Sequence, residues 1–529
     1  MNKTLRDKIV SQSLNEIDFA RRYKQGKISN WQKNEEMYYG KKIANVESRS
    51  NVSLGRMQGF VHTLLSKIDN PLVFKFTKRK DAQLRRVELL NALRKIDANN
   101  NNWDIKDIAG KKQAIIYGRA IYAYFASSDK EYQSHLEPVD VYDFLIDPSC
   151  GGIDIDSAGF MGRYNIIKSR KELKEGVKSG LYNRDNVNRI LGGDGNSDET
   201  SQEETNKNIR TYGQNTIGKK ETSNPDKFKF WEWFTTYDGD RYYVLMTKDG
   251  TDIRVVPLDE INSKGLWPFW TWACFPDLTE FWTPSYCDYV REIFMAQDVS
   301  INQMLDNAEA INKPQKIVNV EAIEDLSKLK YRRDGIIPTK GNFDANRAVQ
   351  VIQTPSIKTP IDVFNILSAI AQQESGVTDG AMGVADEEGK VGIYEGNQAA
   401  TADRFGLLNK SYSFGYKRFA KLYEVGVSDN LIKKVAVEIL GSKGVEVKNI
   451  SRKDIFRKGD DFGVLVESSN SENLISLQEK KMKMTFLLSN GNNPIQNPKK
   501  AYELQASIVN FDEDTIKELM DTQYYGAIS

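Results

Sequence analysis

PSYCDYVREIFMAQDVSINQMLDNAEAI, residues 284–311, is the stretch that decides the fold. Its apolar residues recur three or four positions apart, which is the spacing of one face of an α-helix. Pro284 suits the first turn of such a helix, and Pro314 follows its end. The stretch therefore predicts a long amphipathic helix.

The residues after this helix are predicted to form a strand-containing segment, a second helix, a flexible loop and a third helix. Residues 314–357 mix short strands with a basic run, residues 360–374 return to helical spacing, and residues 376–396 are rich in glycine. A third helix is predicted over about 397–440, interrupted by Gly406, Gly415 and Gly426. The order is long helix, β-rich insertion, second helix, flexible loop and very long helix.

The N-terminal half mixes helices with strands. Residues 1–45 predict a polar helix, residues 103–125 a helix followed by a strand, and residues 138–148 a strand-like run. Residues 228–257 predict a three-stranded meander, since Asp238-Gly239 and Asp249-Gly250 are good hairpin turns. Residues 192–226 are polar and predict a mobile surface loop. The fold class is α+β.

The composition of the chain excludes several classes of function. The chain has 529 residues, enough for three or four structural units, and 74 Lys+Arg stand against 73 Asp+Glu. This balance predicts that any DNA contact is local or weak. Three cysteines without a CxxC pair indicate neither a disulfide framework nor a zinc cluster. With no signal peptide and no apolar run of transmembrane length, we expect no membrane insertion.

Catalytic signals are sparse. Of the two histidines, His62 is predicted to pack within a helix, and nothing ties His135 to a nucleophile. The pair Gly389-Lys390 does not continue into a phosphate-binding loop. We therefore expect no catalytic residue, no metal and no cofactor. A carboxylate-dependent nuclease that uses the clustered acids stays open as an alternative; these are Asp140, Asp143 and Asp147.

Several segments resemble the portal proteins of tailed bacteriophages, the head–tail connectors. NVSLGRMQGFVHTLLSKI (51–68) looks like the early portal helix. Tyr117-Gly-Arg-Ala120 before a strand, the segments Glu137–Asp140 and Ile146–Pro148, and Trp267-Pro-Phe-Trp270 before the 284–311 helix are also similar to portal sequences. The order of elements contributes most to the resemblance, which covers most of the chain.

The resemblance implies a subunit with a helical stem, a β-containing wing and clip, and a helical C-terminal crown. Mapped onto this chain, the parts are wing 1–282 with its flexible insertion 192–226, stem helix 283–313, clip 314–357, stem helix 358–376, tunnel loop 377–396, wing 397–465 and crown 466–529.

It also implies a function. Portal proteins form homo-oligomeric rings, twelve-fold in the virion, at the capsid vertex. The ring is a channel for packaging and ejecting the genome and a platform for the tail. The implied partners are further copies of this chain, double-stranded DNA in the channel, the terminase large subunit, the head–tail adaptor and the major capsid protein. The protein would be made in the host cytoplasm.

Three groups of residues are candidates for these contacts. Acids on the first stem helix would repel phosphates and let DNA slide, and the channel-facing candidates there are Asp298, Asp306, Glu309 and Lys313. Tunnel-loop candidates are Glu387, Glu388, Lys390 and Asn397, with Lys390 as a phosphate contact. Clip residues that would contact DNA or a partner are Lys328, Lys330, Tyr331, Arg332 and Arg333. A different virion adaptor or structural protein is a further alternative.

Overall fold

The computed structural model is an α+β fold, as predicted. It describes residues 2–40, 50–68, 73–80, 83–128, 132–192, 226–329, 336–341, 345–352, 358–375, 391–441, 444–457 and 462–467. The predicted loop at 192–226 lies almost wholly outside these residues. The predicted crown lies outside them beyond residue 467.

The helices range from four to 40 residues. They are α1 (Lys3–Tyr38), α2 (Arg56–Ile68), α3 (Leu84–Asn100), α4 (Trp103–Tyr117), α5 (Arg170–Lys178), α6 (Arg184–Leu191), α7 (Tyr286–Asn312), α8 (Ala345–Ala348), α9 (Lys358–Ser375), α10 (Val391–Asn430) and α11 (Arg452–Ile455).

The strands form small antiparallel sheets. They are β1 (Val73–Thr77), β2 (Arg119–Ser127), β3 (Gln133–Val139), β4 (Phe144–Ile146), β5 (Phe160–Ser169), β6 (Lys227–Tyr237), β7 (Asp240–Met246), β8 (Asp252–Pro257), β9 (Phe269–Ala273), β10 (Lys316–Val318), β11 (Val349–Val351), β12 (Val435–Gly441), β13 (Gly444–Ile450) and β14 (Gly463–Glu467).

The chain divides into two compact units. The first unit comprises Met1–Lys33, Val61–Tyr286 and Glu387–Ser529. The second unit comprises Asn34–Phe60 and Cys287–Asp386. Both units are therefore built from separated stretches of chain, and residues 34–60 cluster with α7 and α9 rather than with the N-terminal sheets.

A five-stranded sheet of the first unit contains the predicted meander. Its order is β4-β5-β6-β7-β8. The turn between β6 and β7 has positive φ at Asp238 (52°) and Gly239 (88°), as expected for a two-residue hairpin turn whose twist matches the strands. Helix α1 packs on this sheet, and Ile9 and Ile17 are buried with Trp231 and Trp233.

Helices α4 and α10 pack on the same face of a three-stranded sheet, β3-β2-β9, in the first unit, since Asp107 of α4 accepts hydrogen bonds from both Tyr122 of β2 and Tyr412 of α10. Helix α4 ends at Gly118, whose φ of 91° reverses the chain into β2 as the sequence predicts. Rings from this sheet, from β1, from α4 and from α10 form an aromatic cluster. Its members are Phe74, Trp103, Tyr122, Tyr124, Trp270, Tyr412, Tyr416, Phe419 and Tyr423.

The prediction of an interrupted helix over 397–440 is wrong in two respects. Helix α10 runs without a break from Val391 to Asn430, and residues 435–441 form a strand. Gly415 and Gly426 serve packing instead. A Cβ atom at Gly415 would lie 2.5 Å from the carbonyl oxygen of Thr271, and one at Gly426 would lie 2.7 Å from the Tyr124 ring. Their missing side chains let α10 lie directly on the sheet.

Two smaller expectations are also corrected. Residues 138–148 are not one strand but the end of β3, a turn and β4, and the two strands belong to different sheets. Asp140 starts that turn by accepting a hydrogen bond from the Tyr142 amide at 3.0 Å. His62 lies in α2 as predicted, but its side chain is exposed rather than packed.

The second unit has two long helices with a small β structure between them in sequence. Strands β10 and β11 pair antiparallel between α7 and α9. An isolated bridge joins Ile323 to Thr339. Ala322, Ile323 and Ala348 form a small buried core. Short strands and turns therefore occupy the chain between the two helices, as predicted.

Candidate functional site: the helix pair and its strap

Helix α7 has 27 residues and is about 40 Å long at 1.5 Å per residue. Val290 is fully buried, and Phe294 packs edge-to-face on Phe60 with ring centroids 5.9 Å apart. These contacts explain why the apolar positions of the 284–311 pattern fold as a helix face.

A second face of α7 binds main chain. We call residues 50–56 the strap, since this segment runs along α7. The Ser50 amide donates to the Asp306 carboxylate at 2.9 Å, and the Leu54 amide donates to Asp298 at 3.1 Å. Between them, Asn302 accepts from the Val52 amide at 2.8 Å and donates to the Val52 carbonyl oxygen at 3.1 Å.

The spacing of these bonds explains the fit. Asp298, Asn302 and Asp306 are four residues apart, so they are separated by about 6 Å along the helix. Alternate residues of an extended chain are separated by about 6.6 Å. Small polar side chains at i, i+4 and i+8 can therefore pair with every second residue of the strap. The Ser53 hydroxyl adds a bond to Asp298 at 3.0 Å.

Arg56, at the end of the strap, connects both long helices. Its guanidinium donates to Gln297 of α7 at 3.0 Å and lies 4.5 Å from the centre of the Phe364 ring of α9. Gln297 also donates to the Ser368 hydroxyl of α9 at 3.0 Å. The helix pair is thus joined by a cation on an aromatic face and by polar side chains.

The start of α7 is fixed by a further polar group. The Asn34 side chain donates to Asp288 at 3.0 Å and accepts from Arg291 at 2.8 Å. Arg291 also pairs with Asp288 at 3.3 Å and is only 9% exposed. A buried cation with hydrogen-bonded partners holds its geometry well, so this group fixes the end of α1 against the first turns of α7.

Helix α9 has an outer apolar stripe. Val363, Ile366 and Ile370 are 43%, 58% and 40% exposed. At 100° per residue they lie within roughly 60° of one another. The neighbouring outward face carries Asp362, Asn365 and Gln373. An exposed apolar stripe beside a polar one is typical of a helix that contacts another protein on one side and water on the other.

The four channel candidates lie along one face of α7, with Lys313 directly after its last residue. Asp298 is 4% exposed and, like Asp306, binds the strap. Glu309 and Lys313 pair with each other at 3.2 Å beyond the end of the strap. If this face met a channel, the strap would cover its first half, and only the second half would present side chains.

The remaining predicted contacts fall outside the described residues. Lys330, Tyr331, Arg332, Arg333, Glu387, Glu388 and Lys390 are not among them. Lys328 lies in a short helical turn (Leu326–Leu329) and Asn397 in α10, but their side chains are also outside the description. These assignments stay predictions.

The acids of the nuclease alternative occupy turns. Asp147 accepts from the Ser149 and Gly159 amides, both at 2.9 Å, and Asp140 accepts from Tyr142. Asp143 is 7% exposed. Among the described residues no three histidines, cysteines, aspartates or glutamates are grouped so that they could hold a metal ion. The three cysteines are buried and form no disulfide.

A buried carboxylate with a shifted pKa lies elsewhere in the first unit. Asp97 accepts hydrogen bonds from the hydroxyls of Tyr132 (2.9 Å) and Tyr423 (2.8 Å). Burial raises the pKa of Asp97 from 3.8 to about 6, and the two hydroxyls oppose that rise. Its contacts join α3, the start of β3 and α10, which is a structural role.

Sequence reasoning missed the strap. It identified the acids of α7 but interpreted them as a wall for DNA. The available signal was the spacing Asp298, Asn302, Asp306 on a helix whose other faces are mostly apolar. Short polar side chains at i, i+4 and i+8 can hydrogen-bond only to a main chain that lies directly against the helix. A helix face exposed to solvent more often carries the longer Glu and Lys side chains, so this spacing indicates a neighbouring segment of chain.

The comparison with known families identifies the class of this protein, the phage portal proteins, and the α+β fold is consistent with it. Residues 114–449, more than half of the chain, match the family described as "Phage SU10 portal protein". The chain belongs to this family. No curated protein matches the chain. Family membership places the protein at the capsid vertex of the virion, in a homo-oligomeric ring, and the nuclease alternative is not favoured.

None of the described helices combines the length and the apolar character that a membrane crossing requires.

Proposed function

We propose that twelve copies of this chain form the portal ring, with α7 and α9 as the wall of its channel. The observation that carries the proposal is the helix pair itself. Two long helices are tied to each other by Arg56, Gln297 and Ser368, while one of them carries an outward apolar stripe. A chain with this stripe needs a second copy to cover it.

The parts of the subunit follow from this assignment. The stem consists of 283–313 and 358–376, and the intervening clip of 314–357. The wing consists of 1–282 and 397–465, the tunnel loop of 377–396, whose last six residues belong to α10, and the crown of 466–529. The two compact units support the stem and clip assignments, because α7, α9 and the segment between them cluster together, while residues 34–60 of the proposed wing cluster with these helices.

The two outward stripes of α9 have different roles in the proposal. Val363, Ile366 and Ile370 contact the neighbouring subunit, and the adjacent polar residues face the channel. On α7, Glu309 and Lys313 are the pair that meets the channel, because Asp298 and Asp306 are engaged with the strap. A channel wall whose charges are paired or acidic releases few counterions from DNA, so the double strand slides past the wall and does not bind to it.

The partners follow from the position of each part. Double-stranded DNA passes through the channel, where Lys390 contacts phosphates and Glu387, Glu388 and Asn397 lie in or beside the tunnel loop. The clip, including Lys328, Lys330, Tyr331, Arg332 and Arg333, binds the terminase large subunit and later the head–tail adaptor, while the wing meets the major capsid protein. The protein is made in the host cytoplasm, needs no cofactor and catalyses no reaction.

A pair of substitutions on one helix tests the ring interface. Ile366→Lys places a charge in the apolar stripe, and we expect it to abolish rings in native mass spectrometry and negative-stain images. Asn365→Lys adds the same charge to the adjacent exposed position and should leave rings intact. Unchanged helix content and thermal unfolding of both variants, followed by far-ultraviolet circular dichroism, excludes misfolding. Rings of normal size from Ile366→Lys would contradict the proposed interface.

A further inference from the structure

A basic cavity lies in the first unit, outside the helix pair. Its volume is about 430 Å³, and it is lined by the C-terminal part of α10, the loop before β9 and the residues of and after α11. Four of its lining side chains are cationic; they are Lys264, Arg452, Lys453 and Arg457. Three separate stretches of chain therefore bring positive charge to one concave site.

The charge of the cavity is not balanced by its own lining. Glu424, with 7% exposure, is the carboxylate among the lining residues. Within the described part of the chain no ion pair forms with Lys264, Arg452 or Lys453. A concave site with excess positive charge favours an anion.

The acids next to the cavity have other partners. Asp429 accepts from the Ser263 amide at 2.7 Å. Asp454 accepts from the amide and hydroxyl of Ser451 at 2.8 Å and 2.7 Å, and these bonds keep the pKa of Asp454 below its usual range. Both carboxylates are therefore directed at main chain or a capping hydroxyl rather than at the four cations.

The lining also contains an aromatic ring and hydroxyls. Phe456 is half-buried, with its ring 5.9 Å from that of Phe462, and Ser263 and Ser428 add hydroxyl groups. The volume falls in the range of about 300–1,000 Å³ that small-molecule sites occupy. Cations bind phosphate oxygens, serine hydroxyls donate to them, and an aromatic ring stacks on a base.

We propose that this cavity binds a nucleotide, through its phosphate at Lys264, Arg452 and Lys453 and its base at Phe456. The nucleotide is either a free molecule or one unit of a DNA strand, since both present the same phosphate and base. An acidic peptide would satisfy the cations but leave the aromatic ring unused. The site is separate from the proposed channel and does not depend on it.

Competition binding to the assembled full-length protein tests the ligand. The probe is a fluorescently labelled 12-nucleotide single strand, and the competitors are dAMP, inorganic phosphate and a glutamate octapeptide. We expect dAMP to displace the probe at concentrations where phosphate and peptide do not. If dAMP and the unlabelled strand displace the probe equally well at the same concentration of phosphate groups, the ligand is a free nucleotide. If the unlabelled strand displaces the probe much better than dAMP does, the ligand is DNA. Equal displacement by the peptide would overturn the proposal.

Matched variants locate the binding. Arg452→Ala with Lys453→Ala should weaken binding at least about tenfold, because two charged contacts are lost. Lys417→Ala with Lys421→Ala removes the same charge from exposed positions of α10 that do not line the cavity, and should change binding less than about twofold. Phe456→Leu should weaken the probe and dAMP about fivefold or more and leave inorganic phosphate unaffected. Equal losses from both double variants would overturn the proposal.

Discussion

The two units of this subunit are stabilised in different ways. All eight tryptophans of the chain lie in the first unit, where rings such as Trp270 and Tyr122 stack at 4.0 Å. The second unit contains no tryptophan, and its long helices are joined by Asn302, Asp298, Arg56 and Gln297 to main chain and to each other. Apolar packing in the first unit tolerates little change of side-chain volume. Each hydrogen bond of the second unit is lost when a single donor or acceptor atom is removed.

This difference suits a ring that carries DNA. A packed aromatic unit gives a rigid frame, and a helix pair held by directional bonds can keep one register along its length. The difference also provides an experimental advantage, because tryptophan fluorescence follows only the first unit. The following predictions use that separation.

The largest expected effect is in the aromatic cluster. Phe419 is fully buried on α10, whereas Phe414, on the same helix, is 56% exposed. We expect Phe419→Ala to lower the free energy of unfolding by about 3–5 kcal/mol, from lost burial and a residual cavity. Phe414→Ala should change it by less than about 0.5 kcal/mol. Urea unfolding followed by fluorescence measures both, and similar losses would refute the role of the cluster.

The next effect depends on pH. Because the pKa of Asp97 is raised in the folded state, from 3.8 to about 6, folding favours its protonated form. This contribution is complete below about pH 4 and is lost as pH rises through 6, a span of about 3 kcal/mol.

Asp97→Asn keeps an acceptor oxygen and removes the titration. The difference in unfolding free energy between variant and wild type should therefore shift by about 2–2.5 kcal/mol in favour of the variant between pH 4 and pH 7.5. Other titrating groups cancel in this difference. A difference that does not vary with pH would show that Asp97 titrates normally in the fold.

A smaller effect is expected where α10 meets the sheet. Gly415→Ala would place a Cβ 2.5 Å from the Thr271 carbonyl oxygen, so α10 must shift, at a cost of about 1–3 kcal/mol. Gly406→Ala meets nothing within 4 Å and should stabilise the helix by about 0.5–1 kcal/mol. Fluorescence-monitored unfolding gives both values, and the account fails here if the two changes have the same sign.

The smallest effect concerns the strap. Asn302→Ala leaves the Val52 amide and carbonyl without their partner, which costs about 1–2 kcal/mol locally. Tryptophan fluorescence should not change. Hydrogen exchange of the peptide containing residues 50–54 should accelerate about 5–30-fold, while the exposed neighbour Gln303→Ala should leave it unaffected. Unchanged exchange in Asn302→Ala would mean that the strap is held by other contacts.

Parts of this architecture could be predicted from the sequence because the signals are local. Pro284, the helical spacing after it, Gly118 and the Asp238-Gly239 turn all act on their immediate neighbours. The long-range contacts could not be predicted. The roles of Gly415 and of Asn302 depend on which chain lies opposite, and a single sequence does not contain that information. Gly415 was therefore interpreted as an interruption, and Asp298 as a channel residue.

The measurement that tests the central claim most directly is electron cryomicroscopy of the purified protein at side-chain resolution. The account predicts a closed ring of twelve subunits whose channel is lined by α7 and α9, with Val363, Ile366 and Ile370 buried against the neighbouring subunit. A ring whose channel is lined by α10 or by the sheets of the first unit, with α9 exposed on the outside, would contradict it.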